Sequence, residues 1–385
     1  MNILHIIAEF TREFNERKFR YLQKKDQRKV IFDSKRLESI KDFHFTEEQK
    51  QAIDKFYLAN YGKKIDHTCH RTYAAYSGQF TPSFISEEIF IPEIGHFLNL
   101  FHNYNEVYAD KNVIPHIAKS IEVKTPTTLF YCIKGFYLDN NNNPTTLNNI
   151  VKSLHNYGRL FIKASVDTYG GKSCVLAEIK DGIDIYTQAP LNQLLKEVGS
   201  DFIIQECVEC HESIKKIFPK SVNTFRIFTY RWKDNIYLAP SVLRLGRGDM
   251  QVDNATQGGL FIGVHENGTL YDFAMTKYGE KYDKHPDTNL IFGKHHIALF
   301  TKVTETAIKL HNALPQIGIA NWDLTIDECG DVVLIEGNFR AGTPRLLQMA
   351  TGLSPFGEHT AEILQWVQKM KKLKPSQRYQ HAFGY

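Results

Sequence analysis

The stretch NWDLTIDECGDVVLIEGN, residues 321–338, decides the fold that we predict for this chain. The runs 322–327 and 332–336 alternate or stay apolar, and the turn-forming residues 328–331 separate them. Short runs of this kind on either side of a glycine-containing turn are typical of a β-hairpin. The stretch therefore predicts two antiparallel strands joined by a tight turn.

The hairpin brings acidic side chains together if Asp327 pairs with Val332. That register places Asp323 directly opposite Glu336, and Asn338 shares the face of Glu336 because side chains alternate along a strand. Two carboxylates and an amide oxygen are ligands that suit Mg²⁺. The remaining ligands of this ion are usually waters and phosphate oxygens of the substrate. A charged sheet face exposed to solvent is the alternative that the hairpin alone leaves open.

The bulk composition narrows the class of protein. With 385 residues, 42% of them hydrophobic, the chain is long enough for two or three domains. The 47 basic and 43 acidic residues nearly balance, so we expect no nucleic-acid partner. Six scattered cysteines favour reduced thiols in the cytoplasm. We expect neither a signal peptide nor a membrane span, because no basic leader and no long apolar run occurs.

The first 108 residues form a mainly helical, polar region. Thr46 with Gln49 is a capping box, which predicts a helix over 47–60. A second apolar-periodic stretch covers 85–101. Further along, we expect a helix to open at residues 110–111.

A lysine lies inside an apolar strand predicted at 160–164. Lys163 follows Phe161 and Ile162, and a buried ammonium is costly without a partner. A phosphate and a core carboxylate are the two candidate partners, and the strand alone does not choose between them.

The loop SVDTYGGKSC, residues 165–174, follows this strand. Backbone N–H groups of Gly170 and Gly171 can approach phosphate oxygens closely. It is not a Walker A loop, because Val166 stands where that motif requires glycine. The loop predicts either a flap over phosphates or an ordinary hairpin turn.

Further strands are predicted before the hairpin, and two of them carry arginines. They cover 201–206, which ends in QECV, and then 224–231, 236–239, 241–245 and 260–264. Arg226 and Arg244 lie inside such strands, where the guanidinium is suited to binding anions, although solvated edges or structural salt bridges explain single arginines equally well. Helices are predicted at 297–314 and 359–371, and the tail from Lys374 is expected to fray.

The ordered set of these motifs resembles the ATP-grasp superfamily, and more narrowly its sugar-transfer-associated group, over about residues 80 to 350. The set runs from Asp110–Lys111 through the strand lysine, the glycine loop and QECV to WDLTID and IEGN. The resemblance implies an α+β ATP-grasp fold, in which two α+β subdomains grip ATP between sheets, with a helical N-terminal region. The implied domains are a helical N-terminal region at 1–108, an ATP-grasp domain at 109–350, and a C-terminal helix and tail at 351–385. The flap of the ATP-grasp domain is implied at about 155–208.

The resemblance also implies roles for individual residues. Glu212 is preferred to Glu209 for the ribose. The implied ATP contacts are Lys111, Lys163, Tyr169, Gly170, Gly171, Lys172, Ser173, Gln205, Glu206, Cys207, Val208 and Glu212. The implied magnesium ligands are Asp323, Glu336 and Asn338. The implied catalytic residues, binding phosphate and the acceptor carboxylate, are Arg226, Arg244 and Arg340.

The function implied by the resemblance is that of an ATP-dependent carboxylate–amine ligase using ATP and Mg²⁺. It would form an acyl phosphate on a carboxylated sugar or amino acid in cell-surface polysaccharide synthesis, and an amine would then displace the phosphate. A small-molecule kinase on the same fold needs the same ATP site, so it stays an alternative. A non-catalytic nucleotide-binding module is a third hypothesis. The presence of all three implied magnesium ligands, Asp323, Glu336 and Asn338, argues against it. The sequence does not indicate an oligomeric state.

Overall fold

The computed structural model of the protein describes residues 3–166, 174–250, 253, 258–340 and 342–385. These residues form two antiparallel β-sheets with helices packed around them, so the predicted α+β class is confirmed.

The N-terminal region is helical, as predicted. Its helices are α1 (Ile3–Ile31), α2 (Ser34–Ser39), α3 (Glu47–Tyr61), α4 (Thr68–Ser77), α5 (Glu87–Ile89), α6 (His96–Leu98), α7 (His102–Ala109) and α8 (Ile114–Ser120). The predicted capping box is present at α3, where the Thr46 hydroxyl accepts from the backbone N–H of Gln49 and the Gln49 side chain accepts from that of Thr46.

Two helix predictions in this region need correction. The stretch predicted at 85–101 is not one regular helix, because a π-helical turn, Phe90–Gly95, separates α5 from α6. Pro92 lies in that turn and has no N–H to donate. The helix expected at residues 110–111 begins only at Ile114, where Pro115 occupies its first turn.

The first sheet belongs to the middle of the chain and has seven strands in the spatial order β3-β2-β1-β7-β4-β5-β6. Its elements are β1 (Thr128–Ile133), β2 (Phe136–Asp139), β3 (Pro144–Thr145), α9 (Leu147–Ser153), β4 (Gly158–Ala164), β5 (Cys174–Lys180), β6 (Ile183–Asp184), α10 (Leu191–Val198) and β7 (Phe202–Glu206). On β4, Leu160 and Ile162 pack in a core with α9 and α10. Phe161 and Lys163 therefore point to the opposite face.

The second sheet has eight strands, in the order β13-β12-β11-β10-β8-β14-β15, with β9 paired to β8. Its strands are β8 (Thr224–Trp232), β9 (Asn235–Leu238), β10 (Ser241–Leu245), β11 (Leu260–Val264), β12 (Ala274–Met275), β13 (Lys281–Tyr282), β14 (Ile319–Ile326) and β15 (Val332–Asn338). Helix α11 (Glu212–Lys215) precedes these strands in the chain, and helix α12 (Phe300–Asn312) lies between β13 and β14. The strands predicted in this region are confirmed.

The hairpin β14–β15 has the predicted opposition of Asp323 and Glu336, but by a different register from the one predicted. Ile326, not Asp327, pairs with Val332, and a regular ladder from that pair would place Ile335 opposite Asp323. A β-bulge at Ile335 restores the alignment, because the extra residue shifts the remainder of β15 by one position.

The two faces of the second sheet lie against different cores. Helix α12 covers one face, where Trp322 and Leu324 are fully buried. The N-terminal helices cover part of the other, together with α13 (Arg345–Thr351) and α14 (Thr360–Lys372). The helical N-terminal region therefore shares a hydrophobic core with the C-terminal sheet. The boundary proposed at residue 108 stays a prediction.

The C-terminal tail is packed against the body, so the expected fraying is wrong. A short helix, α15 (Pro375–Arg378), and a 3-10 segment, Tyr379–Gly384, follow α14. The Arg378 side chain is fully buried, and the Trp366 indole N–H donates to the His381 carbonyl at 2.8 Å. In the described part of the chain no helix combines the length and the apolar character that crossing a bilayer requires.

Candidate active site

A cleft of about 590 Å³ lies between the two sheets, a volume in the range of small-molecule binding sites. Both sheets contribute side chains, mostly from alternate positions of their strands. The first sheet provides Phe161, Lys163, Cys174, Leu176 and Gln205. The second sheet provides Thr224, Arg226, Arg244, Asn321, Asp323, Ile335, Glu336 and Asn338.

A row of charged side chains crosses the second sheet at the cleft. Glu336 on β15 lies opposite Asp323 on β14, which in turn lies opposite Arg226 on β8. Because the bulge places Ile335 and Glu336 together on the cleft wall, the carboxylate of Glu336 faces the same space as Asp323. The pairing of strands thus brings together residues separated by more than a hundred positions in the sequence.

Asp323 is buried between two arginines. The Arg226 Nε lies 2.6 Å from one carboxylate oxygen of Asp323, and Arg244 Nη2 lies 3.1 Å from the other. Burial lowers the pKa of Arg226, with Asp323 opposing that effect. Burial acts in the same direction on Arg244, but Asp253 and Asp323 outweigh it and raise the pKa of Arg244. The pair of guanidinium groups gives the cleft wall two fixed cations beside the carboxylate.

Asp253 is a second carboxylate that contacts Arg244. Its carboxylate accepts from the backbone N–H of Thr224 at 2.8 Å and also from the Thr224 hydroxyl. Arg244 Nη2 lies 3.5 Å from the other oxygen of Asp253. Burial raises the pKa of Asp253, an effect that Arg244 opposes. These contacts fix the direction in which Arg244 points.

Two lysines approach Glu336 from the other side of the cleft. Lys111 Nζ lies 3.4 Å from Glu336 Oε1, and the Lys111 backbone N–H donates to the carbonyl of Ser165 at 3.0 Å. The Lys163 Nζ donates to the carbonyl of Ile335 at 3.3 Å. Burial lowers the pKa of Lys163, and Glu336 opposes that effect. The two ammonium groups therefore converge where the sheets meet.

The residues predicted to bind magnesium fit a hard cation. The donors available are the carboxylates of Asp323 and Glu336 and the amide of Asn338, all on the cleft wall. The Asn338 Nδ2 is buried and has no hydrogen-bond partner among the described residues, so no bond from this nitrogen fixes the orientation of the amide, whose oxygen would be the ligand. In the same part of the chain no group of three His, Cys, Asp or Glu residues could hold a metal.

The end of β7 forms another part of the cleft wall. The Gln205 side chain is buried and donates to the Thr128 hydroxyl at 3.1 Å, and Glu206 accepts from the Tyr157 hydroxyl at 2.5 Å. Burial raises the pKa of the half-buried Cys207 thiol to about 11. Within the described chain the backbone of Val208 makes no backbone hydrogen bond, so its polar groups remain available to a ligand.

Two predicted site residues lie away from the cleft. Glu212 is exposed and pairs with Lys216, whereas Glu209 lines the cleft and pairs with Arg159 at 3.0 Å. Glu212 begins helix α11, which turns its side chain outward, so the preference for Glu212 over Glu209 is not supported by position.

Arg340 pairs with Glu106 of helix α7 and does not line the cleft. Arg345, five residues further on, does line it, although the sequence analysis did not select it. Arg345 Nη1 lies 3.3 Å from a carboxylate oxygen of Glu87, which is fully buried and also accepts from the Thr343 hydroxyl at 2.9 Å. The basic loop after Asn338 carried the signal for Arg345, but nothing in the sequence indicated Glu87.

Five predicted phosphate contacts lie outside the described residues. They are Tyr169, Gly170, Gly171, Lys172 and Ser173. Gly342, after the hairpin, lies so close to Asn321 that a Cβ there would be 1.7 Å from the Asn321 amide nitrogen. A side chain at position 342 would therefore have to displace the Asn321 amide.

Two antiparallel sheets facing a cleft with paired lysines and carboxylates are the arrangement of an ATP-grasp fold. Residues 96–362 match the family described as sugar-transfer associated ATP-grasp, and the chain belongs to that family. None of the curated proteins compared with the sequence matches it significantly.

Solved structures of three ligases and synthases are similar to the chain. VanG D-Ala:D-Ser ligase from Enterococcus faecalis has 13% identity and a TM-score of 0.40, over 68% of this chain and 61% of the other. Carboxyaminoimidazole ribonucleotide synthase from Aspergillus clavatus, complexed with ATP, has 13% identity and a TM-score of 0.38, over 61% and 46%. L-amino acid ligase from Bacillus licheniformis has 12% identity and a TM-score of 0.36, over 70% and 49%. The chain thus spans about half to three fifths of the length of these proteins.

Proposed function

We propose that this protein is an ATP-dependent carboxylate–amine ligase that works through an acyl phosphate. The observation that carries the proposal is that Lys111 pairs with Glu336 and Lys163 donates to the adjacent Ile335 carbonyl, in a cleft between two sheets that Asp323 also lines. Lysines on the first-sheet side of the cleft, facing carboxylates and arginines on the second sheet, suit a metal-bound triphosphate, whose charge has to be neutralised before a phosphoryl group transfers.

ATP would lie along the cleft from the end of β7 to the hairpin. The backbone from Glu206 to Val208 would contact the adenine edge, with Gln205 buried behind it. Glu209 replaces Glu212 as our candidate for the ribose, because it lines the cleft. Lys111 and Lys163 would bind the phosphates, and we keep residues 169–173 as further candidate phosphate contacts.

Asp323, Glu336 and Asn338 would hold Mg²⁺. When bound, the ion supplies positive charge that neutralises the phosphate oxygens and helps to orient them.

The arginines on the second sheet would orient the acceptor carboxylate. Arg226 and Arg244 point into the cleft and are held by Asp323 and Asp253. A carboxylate oxygen of the acceptor attacks the γ-phosphorus, the bond to ADP breaks, and the acyl phosphate forms. An amine then attacks the acyl carbon, loses a proton, and displaces inorganic phosphate. Arg345 lies on the same wall and would contact the acceptor in place of Arg340.

The acceptor that we propose is a carboxylated sugar or an amino acid, used in cell-surface polysaccharide synthesis in the cytoplasm. The family description supports the link to sugar transfer. All six cysteines are free thiols, which supports a reducing compartment. We also propose that residues 109–350 form the ATP-grasp domain, with 155–208 as its flap.

The test is an ADP-release screen over paired libraries of uronic acids and amino acids. A ligase releases ADP and phosphate together only when a carboxylate and an amine are both present. Release of ADP without free phosphate, together with a phosphorylated acceptor, would instead establish the small-molecule kinase.

One variant tests the site itself. Glu336→Gln keeps the shape of the side chain but removes the charge, so turnover should fall at least about a hundred-fold. Glu305→Gln, on the exposed side of α12, should leave turnover unchanged. Equal turnover of Glu336→Gln and the parent would contradict the proposed site.

A further inference from the structure

Helix α1 presents polar side chains to the protein body. The positions that face inward recur every three or four residues, as expected for one face of a helix. A surface helix normally places apolar residues there. The half-buried side chains on this face are Glu9, Glu13, Glu16, Arg20, Gln23, Lys24 and Gln27.

The outward face of the same helix carries an apolar stripe, formed by Ile3, Ile7, Phe10 and Phe14. Spacings of four, three and four residues place these side chains on one side of α1. They are 73%, 55%, 74% and 59% exposed, respectively. Scattered exposed apolar residues are ordinary, but a contiguous row of four large ones marks an interaction surface.

The orientation of α1 is fixed by ion pairs with the C-terminal tail. Arg378, fully buried, lies 2.6 Å from Glu13 and also contacts Glu16. The Glu9 carboxylate accepts from the backbone N–H of Ser376 at 3.1 Å. Rotating α1 to bury its apolar stripe would leave the buried guanidinium without a partner, which is strongly unfavourable.

The solvent side of α1 is also positively charged. Arg12, Lys18 and Lys25 are exposed, and within the described chain no carboxylate lies at ion-pair distance from them. The acidic residues Glu9, Glu13 and Glu16 face the protein body. The exposed acid of the helix, Asp26, is paired with Lys29 at 2.7 Å.

We propose that α1 binds the surface of an anionic bilayer, lying in the interface with its apolar stripe in the boundary between headgroups and acyl chains. The aliphatic and aromatic side chains would be buried there, and the basic residues would bind lipid phosphates. A second copy of this chain is a poorer occupant, because its own α1 carries the same uncompensated positive charge.

The experiment is sedimentation of the protein, residues 1–385, with vesicles. Phosphatidylcholine vesicles containing about 30% phosphatidylglycerol should sediment at least about ten-fold more protein than pure phosphatidylcholine vesicles. Added salt should weaken the binding, because it screens the basic side chains. Phe10→Ser combined with Phe14→Ser should lower vesicle binding at least about ten-fold, since both rings are exposed and their loss leaves the core intact.

The matched control replaces Ile133 and Ile291, which are 42% and 51% exposed outside α1, with serine. This control should sediment like the parent. Failure of the parent to sediment with anionic vesicles, or equal sedimentation of the Phe10/Phe14 variant, would overturn the proposal. A dimer in vesicle-free solution that the Phe10/Phe14 variant loses would assign the stripe to a second copy and would overturn it as well.

Discussion

Replacing Lys163 with methionine distinguishes the two explanations for a lysine inside an apolar strand. Lys163 is 5% exposed, and in the described chain its Nζ donates to the carbonyl of Ile335 without a carboxylate at ion-pair distance. Because burial lowers the pKa of Lys163, the unfolded chain binds this proton more tightly than the folded protein. The resulting penalty to folding is fully present below the folded pKa of Lys163 and is lost as the pH rises to the unfolded pKa. We therefore expect Lys163→Met to keep or raise the melting temperature.

Nucleotide affinity should change in the opposite direction. A hydrogen bond from an ammonium to a phosphate oxygen is worth about 1.5–3 kcal/mol, so the Kd for ATP should rise about 10- to 150-fold. The combination of unchanged stability and weakened binding is specific to a lysine whose partner is the ligand.

Calorimetric titration with ATP and a thermal melt of the same preparation measure both quantities. Lys180→Met, at an exposed position of the neighbouring strand β5, is the control and should change neither. The reasoning is refuted if Lys163→Met melts several degrees lower and binds ATP as tightly as the parent, because the lysine would then be structural.

Three further predictions address the cleft and the core. Because burial raises the pKa of Cys207 to about 11, its alkylation should accelerate about ten-fold per pH unit near neutrality. Bound ATP should slow that alkylation while leaving exposed Cys329 unaffected in the same peptide map. Burial lowers the pKa of His311 to about 3, so between about pH 3 and about pH 6.5 only the unfolded chain binds its proton. In that range His311 should lower the free energy of unfolding by about 1.4 kcal/mol for each unit by which the pH falls. Urea titrations of His311→Asn should lack this slope. Glu87→Gln leaves two largely buried arginines without their carboxylate and should cost about 3 kcal/mol by urea denaturation, whereas Glu88→Gln, whose basic partners are exposed, should cost less than about 1 kcal/mol.

Each of these three has a result that contradicts it. Equal alkylation rates of Cys207 with and without ATP would remove the end of β7 from the nucleotide site. An unchanged pH slope in His311→Asn would mean that the imidazole is not held neutral by burial. Equal costs for Glu87→Gln and Glu88→Gln would show that burial does not distinguish the two carboxylates.

Local sequence determined a large part of the fold. The capping box at Thr46 fixed the start of α3, because the cap and its helix lie within a few residues of each other. Alternation along β4 placed Lys163 on the face opposite Leu160 and Ile162. The motif order was sufficient to indicate the family, because it records the succession of strands rather than their contacts.

Tertiary structure alone decided the arrangement of the site. The sequence predicted Asp323 opposite Glu336, but through a register that the bulge at Ile335 replaces. That Glu209 lines the cleft and Glu212 does not depends on the direction in which the chain leaves β7, and the contact of Arg345 with Glu87 joins positions more than two hundred residues apart. Periodicity and turn chemistry act over a few residues, whereas these placements depend on how two sheets and a helical region pack. A sequence pattern therefore specifies on which face of a strand or helix a side chain lies. The packing of the sheets and helices specifies which residues that face contacts.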